Sequence, residues 1–388
     1  MHQVRYAHCE GYADLCFAEK SKFLTTGEDG DVRIWQGFDD LDNASIRVGD
    51  KCSALAYKNN KIYVADDLNE LKKYDLDTNE FQGVLTSFTL PITTICINKS
   101  DTHLVCGSSD FEIHLIELKS LKSTLFTGHD APILHVCFDP LEKYFVSSSC
   151  DGTARFWSLQ TLNNVKTLSN LHKKSNDFID SISLCKIAWH KDGGLIAVPC
   201  EKEVHFYERE TWQLKFKIQL NSENDENAVA SICCFSPDGR YVLVATSAQM
   251  VYVHSIITKS MVFKYSYNKK VRICSLAWNP ENQNEIIFLD TNGYMGLIKP
   301  VIKDEMNDST VTSSAAKTTE NDNLEMNDLL DLIGDDEKSN DSKASDEMFK
   351  KTKSSKKNEM KGQQKKRKRL SDDNEGKYNY IQLIINPE

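Results

Sequence analysis

One short pattern recurs seven times between Trp35 and Ile298, and it limits the possible folds of this chain more than any other feature. Each copy has a turn, a few alternating polar and apolar residues, and a large or hydrophobic residue where a strand would end. The clearest copies are residues 28–35 and 150–157, which both contain Asp-Gly. The copies are 39 to 50 residues apart and end at Trp35, Tyr74, Ile116, Trp157, Tyr207, His254 and Ile298. Units this short cannot bury a core alone, so the repetition predicts one stacked array.

The details of the fourth copy identify the kind of repeat. Gly128 and His129 precede an inner strand of alternating pattern, and an Asp-Gly turn at Asp151 precedes a strand that ends in Trp157. A period near 40 to 45 residues with these dipeptides is the signature of WD-repeat propeller blades of four strands each. The sequence therefore predicts an all-β fold, a seven-bladed WD-repeat β-propeller followed by a disordered charged tail.

The last blade lacks a fourth strand in the sequence. After Gly293 only a short apolar stretch remains before the polar tail begins. Residues 2–6 precede the first inner strand and can supply the missing one, which would close the ring and remove exposed strand edges. We therefore expect the propeller to span residues 1–300.

The composition changes abruptly after residue 300. Residues 301–349 contain 14 Asp or Glu against 4 Lys, and residues 350–370 contain 11 Lys or Arg against one Glu. Such segments have too little apolar surface to offset the entropy of ordering a chain. We expect an acidic disordered linker over residues 301–349 and a basic disordered tail over residues 350–388.

The cysteine pattern and the hydropathy exclude several classes of protein. The 12 Cys residues lie mostly inside apolar strand patterns, and no Cys-x-x-Cys spacing occurs. We therefore expect neither a metal site nor a disulfide, and no cofactor. No apolar run approaches the roughly 18 residues that cross a bilayer, and the N-terminus is too polar for a signal peptide, so no membrane partner is expected.

A set of polar residues in two blades could be misread as a Ser-His-Asp catalytic triad. In WD blades a His bridges the turn Asp, and a Ser or Thr carries the hydrogen bond on to the indole nitrogen of the Trp, which has no acid or base role. The hydroxyl would come from Thr25 or Thr26 in the first blade and from Ser147 or Ser149 in the fourth. We expect a structural polar network, and no enzyme, from His8, Asp29, Trp35, His129, Asp151 and Trp157.

The tail contains a dense basic cluster in a flexible context. We interpret it as a nuclear localisation signal that binds an import carrier, with non-specific contact to DNA or a merely solvated charge run as the alternatives. Ser371, which acidic residues follow, is a candidate phosphorylation site whose added charge would weaken the signal. The basic residues assigned to the signal are Lys356, Lys357, Lys365, Lys366, Arg367, Lys368 and Arg369.

Two basic loops are further candidates for contact with a partner. One lies between the fourth and fifth blades at Lys173 and Lys174, in the longest interval between repeats. The other precedes the last inner strand at Lys269, Lys270 and Arg272. Loops of this kind are more often simply solvated, so both readings stay open.

Several segments closely resemble one family. They are residues 4–8, 27–35, 107–111, 128–132, 138–140 and 149–152, of which Gly-His-Asp-Ala-Pro and Ser-Ser-Asp-Phe are the most specific. They are similar to the N-terminal propeller of the WD-repeat and HMG-box DNA-binding proteins, the acidic nucleoplasmic replisome adaptors of metazoans. The family's second propeller, trimerisation region and HMG box would follow the linker. We therefore expect this chain to be a truncated product, an isoform or an incomplete gene model.

The resemblance implies a non-enzymatic nuclear scaffold at chromatin. Such a protein would link DNA polymerase alpha to the replicative helicase, and support DNA replication, repair and sister-chromatid cohesion. Its partners would be replisome or chromatin proteins. A rival interpretation, common among WD propellers, is a substrate receptor of a cullin ubiquitin ligase. A propeller enzyme with a central metal is disfavoured, because no ring of inward His, Asp or Glu recurs at matching blade positions.

Overall fold

A computed structural model describes residues 2–19, 21–40, 44–173, 185–220, 228–267 and 271–302. Within these ranges all regular secondary structure is β-strand, and the strands form seven antiparallel sheets of four strands each. The seven-bladed propeller predicted from the repeat period is therefore confirmed. The acidic and basic segments from residue 303 onward lie outside the described residues, so their boundaries stay a prediction.

The strands follow one another blade by blade from the axis outward. The first blade is β2 (Ala13–Phe17), β3 (Phe23–Gly27), β4 (Asp31–Trp35) and β5 (Ala44–Arg47). The second is β6 (Cys52–Lys58), β7 (Lys61–Asp66), β8 (Glu70–Asp75) and β9 (Glu80–Ser87). The third is β10 (Ile92–Ile97), β11 (His103–Ser108), β12 (Ile113–Glu117) and β13 (Lys122–Phe126). The fourth is β14 (Ile133–Phe138), β15 (Tyr144–Ser149), β16 (Ala154–Ser158) and β17 (Asn164–Leu168).

The remaining blades keep this order. The fifth is β18 (Ala188–Trp189), β19 (Leu195–Cys200), β20 (Glu203–Glu208) and β21 (Leu214–Gln219). The sixth is β22 (Ala230–Phe235), β23 (Tyr241–Thr246), β24 (Met250–Ser255) and β25 (Met261–Ser266). The seventh is β26 (Ile273–Trp278), β27 (Ile286–Asp290), β28 (Tyr294–Ile298) and, from the N-terminus, β1 (His2–Tyr6). The large or hydrophobic residue that ends each copy of the repeat lies in the third strand of its blade in all seven blades.

The N-terminal strand completes the last blade. It pairs antiparallel with β28 in a register that runs from His2 opposite Ile298 to Tyr6 opposite Tyr294. The backbone N–H groups of Ala7 and His8 both donate to the carbonyl oxygen of Gly293, at 2.8 and 2.9 Å. Gly293 has a φ of +77°, and a Cβ there would collide with the carbonyl of His8, so only glycine fits this turn.

The hydrophobic core lies between the blades. One buried cluster joins each pair of neighbouring blades around the ring, and the cluster between the last and first blades includes Leu15, Trp35, Leu289 and Met295. Second strands are buried along nearly their whole length because neighbouring blades cover both faces, whereas the fourth strand β9 is largely exposed. The ring is therefore closed by the same packing that joins its other blades.

Candidate functional site

The fourth blade contains a continuous chain of buried hydrogen bonds. His129 precedes β14, Ser147 lies in β15, and Trp157 lies in β16. His129 Nδ1 is 2.9 Å from Asp151 Oδ2, and His129 Nε2 is 2.8 Å from Ser147 Oγ. Trp157 Nε1 donates to the same hydroxyl at 2.9 Å. The structure therefore brings together the predicted residues of this blade and identifies Ser147 as the bridging hydroxyl; Ser149 instead donates to the backbone carbonyl of Ala131.

The direction of these hydrogen bonds follows from the donors available. The indole of Trp157 can only donate, so the Ser147 oxygen accepts from it and the Ser147 hydroxyl donates to Nε2 of His129. The imidazole then donates from Nδ1 to Asp151. Burial alone would raise the pKa of Asp151, but the hydrogen bonds from His129 and Thr153 hold the pKa of this carboxyl well below its usual range. The network is fully satisfied within the blade.

The first blade repeats the arrangement with a threonine. His8 Nδ1 is 2.8 Å from Asp29 Oδ1, His8 Nε2 is 2.7 Å from Thr25 Oγ1, and Trp35 Nε1 donates to Thr25 at 2.9 Å. Arg33 adds an ion pair with Asp29 at 3.0 Å. Thr25 is therefore the bridging hydroxyl, while Thr26, the other candidate, donates to the carbonyl of Asp31.

This geometry supports a structural role for both networks over a catalytic one. The bridging Ser147 and the ring of His129 are buried, so a substrate carbonyl could not approach the hydroxyl. The hydroxyl proton is held by the imidazole and the oxygen lone pair by an indole, which neither accepts nor delivers a proton. Among the residues described by the structure, no cluster of three or more His, Cys, Asp or Glu could hold a metal ion.

The central channel contains a polar cluster that the sequence did not predict. A cavity of about 530 Å³ follows the axis and is lined by the inner strands. Lys186, just before β18, extends across it to the first blade, where its Nζ lies 3.7 Å from Asp14 Oδ1 and 3.3 Å from the Tyr12 hydroxyl. Ser275 also donates to Asp14 at 3.0 Å. Burial would lower the pKa of Lys186, but Tyr12 and Asp14 raise it above its usual value.

The structure describes only part of the predicted basic sites. Lys173 is exposed at the last described position of its loop, and Arg272 is half-buried just before β26. Lys174, Lys269 and Lys270 lie outside the described residues. The localisation signal and Ser371 also lie outside them. No helix in the described part of the chain could span a membrane.

An exposed apolar surface that the repeat pattern did not predict lies where the second and third blades meet. Leu68, Leu90 and Phe111 are exposed there in turns that contact one another through backbone and side-chain hydrogen bonds. The sequence of the repeats contained one indication of this surface. Phe111 occupies the turn position that glycine holds at Gly30 and Gly152, so an unusual side chain marked this turn.

Comparison with known proteins agrees with the repeat pattern and the fold. A family model described as the WDHD1 first WD40 domain matches residues 5–297. The chain is 34% identical over 336 residues to WD repeat and HMG-box DNA-binding protein 1 of Homo sapiens, which covers 86% of this chain and 29% of that protein. The Xenopus laevis protein of the same name is 33% identical over 324 residues, covering 83% and 28%.

A fungal protein is also similar. Minichromosome loss protein 1 of Schizosaccharomyces pombe is 25% identical over 345 residues, which is 86% of this chain and 41% of that protein. The chain spans less than a third of the length of the vertebrate relatives. The family model nevertheless matches almost all of the ring, from within the closing strand β1 to within β28. The chain therefore belongs to the family of the WDHD1 first WD40 domain.

Proposed function

We propose that this chain is a non-enzymatic scaffold that holds replication proteins together at chromatin. The observation that carries the proposal is the match of the family model to residues 5–297, the part of the chain that forms the closed ring. The names of the similar proteins refer to DNA binding and to minichromosome loss, which supports a role in chromosome replication or maintenance. The buried, internally satisfied polar networks also argue against a catalytic role for the His, Ser, Thr and Asp residues in them.

In its finer form, the proposal is that the chain participates in the link between DNA polymerase alpha and the replicative helicase. It would thereby support DNA replication, repair and sister-chromatid cohesion through the cell cycle. A propeller suits this task because its turns present many short, rigidly held surfaces to different proteins. The relatives are much longer than this chain, so the experiment must ask what this polypeptide binds on its own.

Affinity purification from nuclear extract with mass spectrometry tests the proposal. A tagged full chain should enrich subunits of polymerase alpha or of the replicative helicase over a tagged tail of residues 303–388. Enrichment of a cullin complex with its adaptor would instead favour the rival function, a ubiquitin ligase substrate receptor. Recovery of neither group by the folded full chain would contradict the scaffold proposal.

Nuclear localisation is part of the same proposal. Residues 365–369 form the densest basic run in the sequence, and such a run binds an import carrier by placing successive cations in acidic pockets. Replacing all five residues with Ala should move a fluorescent fusion from the nucleus to the cytoplasm. Replacing Lys350, Lys351 and Lys353 instead is a matched control that should have a smaller effect. Continued nuclear accumulation of the five-residue variant would indicate that the chain enters the nucleus bound to another protein.

A further inference from the structure

Three exposed apolar side chains are grouped where the second and third blades meet. Leu68 is 66% exposed, Leu90 is 46% exposed and Phe111 is 40% exposed. Leu68 lies in the turn between β7 and β8, Leu90 in the connection from β9 to β10, and Phe111 in the turn between β11 and β12. We call this group the apolar patch.

Hydrogen bonds hold the three segments of the apolar patch side by side. The Asn69 amide donates to the carbonyl of Thr89 at 3.4 Å, and the Ser108 hydroxyl lies 3.2 Å from the carbonyl of Leu90. The Thr89 hydroxyl donates to Asp110 at 2.9 Å. The backbone that carries the apolar patch is therefore held in place in the folded ring.

A cavity of about 330 Å³ lies beside the apolar patch. Tyr12, Cys52, Pro91 and Ile92 contribute to walls whose exposed area is mostly apolar, and charged residues complete the lining. Pro91 directly follows Leu90, so the cavity and the patch share one segment of chain. A cavity of this volume with apolar walls can accept one long side chain from a partner.

Carboxylates surround both features. Asp67 directly precedes Leu68, and Asp110 directly precedes Phe111, so each exposed apolar side chain in these two turns has an acidic neighbour. Asp67 accepts the backbone N–H groups of Asp50 and Lys51 at 2.9 and 3.2 Å, which fixes its carboxylate at the cavity rim. The cation of Lys51 is held 3.1 Å from Glu28. Asp66, which also lines the cavity, is paired with Lys72 at 2.5 Å, so three carboxylates stand against two lysine cations. This excess of one negative charge favours a cation at the rim.

Phe111 contributes little to folding at its position. Its φ is +73°, a left-handed conformation that costs a residue with a side chain about 1 to 2 kcal/mol. The first and fourth blades have glycine at this position, which adopts the conformation without that cost. With 40% of the residue exposed, its burial contributes about 1 to 2 kcal/mol and no more than offsets that cost. An exposed aromatic residue in such a conformation, among other exposed apolar residues, is typical of a binding surface.

We propose that the apolar patch and its neighbouring cavity bind a short, extended peptide of a partner protein in which a Lys or Arg stands next to an aliphatic or aromatic residue. The basic side chain enters the cavity, with its methylene groups on the apolar walls and its cation at the carboxylates. The neighbouring apolar side chain packs on Leu90 and Phe111. The proposal deepens the scaffold function and rests on it only for the existence of a protein partner.

Selection from a displayed library of random seven-residue peptides on the immobilised full chain provides the test. The enriched peptides should carry Lys or Arg beside an apolar residue. The affinity of the most enriched peptide is then measured by fluorescence anisotropy. Phe111→Gly should weaken it at least tenfold while the melting temperature stays the same or rises, because glycine relieves the backbone at φ +73°.

The chain offers a matched control at the opposite ends of the strands. Leu162, in the turn between β16 and β17, is 45% exposed and has a φ of +57°, so Leu162→Gly makes the same kind of change away from the patch. It should leave peptide affinity within twofold of the original. A double Asp67→Asn and Asp110→Asn variant should weaken binding and flatten its dependence on salt.

Three results would overturn the proposal. The first is enrichment of acidic or purely apolar peptides, or no enrichment at all. The second is equal affinity of the Phe111→Gly and original chains. The third is a concentration-dependent dimer in sedimentation that Phe111→Gly abolishes, which would assign the patch to a second copy of this chain. If one of these results is obtained while the original chain still recovers replication proteins from extract, the scaffold function stands and only the docking site is wrong.

Discussion

At the scale of single residues, one hydroxyl decides whether each polar network is satisfied. Ser147 serves both the indole of Trp157 and the imidazole of His129, so Ser147→Ala leaves a buried donor and a buried acceptor without partners. We expect a loss of about 2 to 4 kcal/mol in the free energy of unfolding, measured by denaturant titration. Ser147→Thr keeps the hydroxyl, as Thr25 does in the first blade, and should lose less. Equal losses would mean that packing and not hydrogen bonding dominates.

A second single residue, His254, should make the stability of the fold depend on pH. It stands at the closing position of the sixth blade, where the first and fourth blades have Trp, and its Nδ1 has no hydrogen-bond partner in the described part of the chain. Burial lowers the pKa of His254 to about 4. An unfolded histidine titrates near 6.5, so the unfolded state binds more protons between these values. Stability is therefore fully present above about pH 6.5 and falls as the pH decreases toward 4.

Replacing this histidine isolates its contribution. His254→Phe fills a similar volume without a titrating group, so the variant should lose less stability than the original chain when the pH falls from 7 to 4. A pKa of about 4 in the folded state against about 6.5 in the unfolded state corresponds to about 3 kcal/mol over that interval. Denaturant titrations of both proteins at several pH values measure the difference. Parallel pH profiles would show that another group carries the dependence. His135 would be the next residue to replace, because it lines the central cavity and burial lowers its pKa to about 3.

At the scale of strands, the ring depends on the pairing of β1 with β28. Removing residues 1–7 takes away the five paired residues and the contact of Arg5 with Trp35, whose ring centroid lies 4.8 Å from the guanidinium. It also exposes the edge of β28. We expect the melting temperature to fall by about 5 °C or more. Gln3→Ala, at an exposed position of the same strand, should leave it nearly unchanged. An unaltered melting curve of the shortened chain would contradict closure by this strand.

The strands also mark how far the sequence could predict the structure. The turn and the large or hydrophobic residue that follows it were sufficient to predict all seven blades. In every blade this residue lies in the third strand and at the same point of the repeat. It could not choose between Ser147 and Ser149, because residues two apart on a strand point to the same face and differ only in their depth. The Lys186 contact with Asp14 was also hidden, since it joins blades that are neither adjacent in sequence nor neighbours in the ring.

At the scale of the whole molecule, the chain has a negatively charged part and a positively charged part, which should differ in their affinity for DNA. Residues 1–300 contain 38 Asp or Glu against 31 Lys or Arg, whereas residues 350–370 contain 11 Lys or Arg against one Glu. A negative ring repels the phosphates of DNA, whereas a basic segment attracts them regardless of base sequence. Any affinity of this chain for DNA should therefore reside in the basic segment.

A salt series tests this assignment. Anisotropy on labelled duplex DNA should show binding by the full chain that falls steeply with salt, because each neutralised phosphate releases counterions and contributes about -0.9 to the slope of log K against log salt. Residues 1–300 alone should bind far more weakly at every salt concentration. The full chain with residues 365–369 changed to Ala should lose up to about 4 to 5 units of slope while keeping the same ring. Equal affinity of residues 1–300 and the full chain would place the contact on the propeller, where Lys269, Lys270 and Arg272 are the first residues to replace.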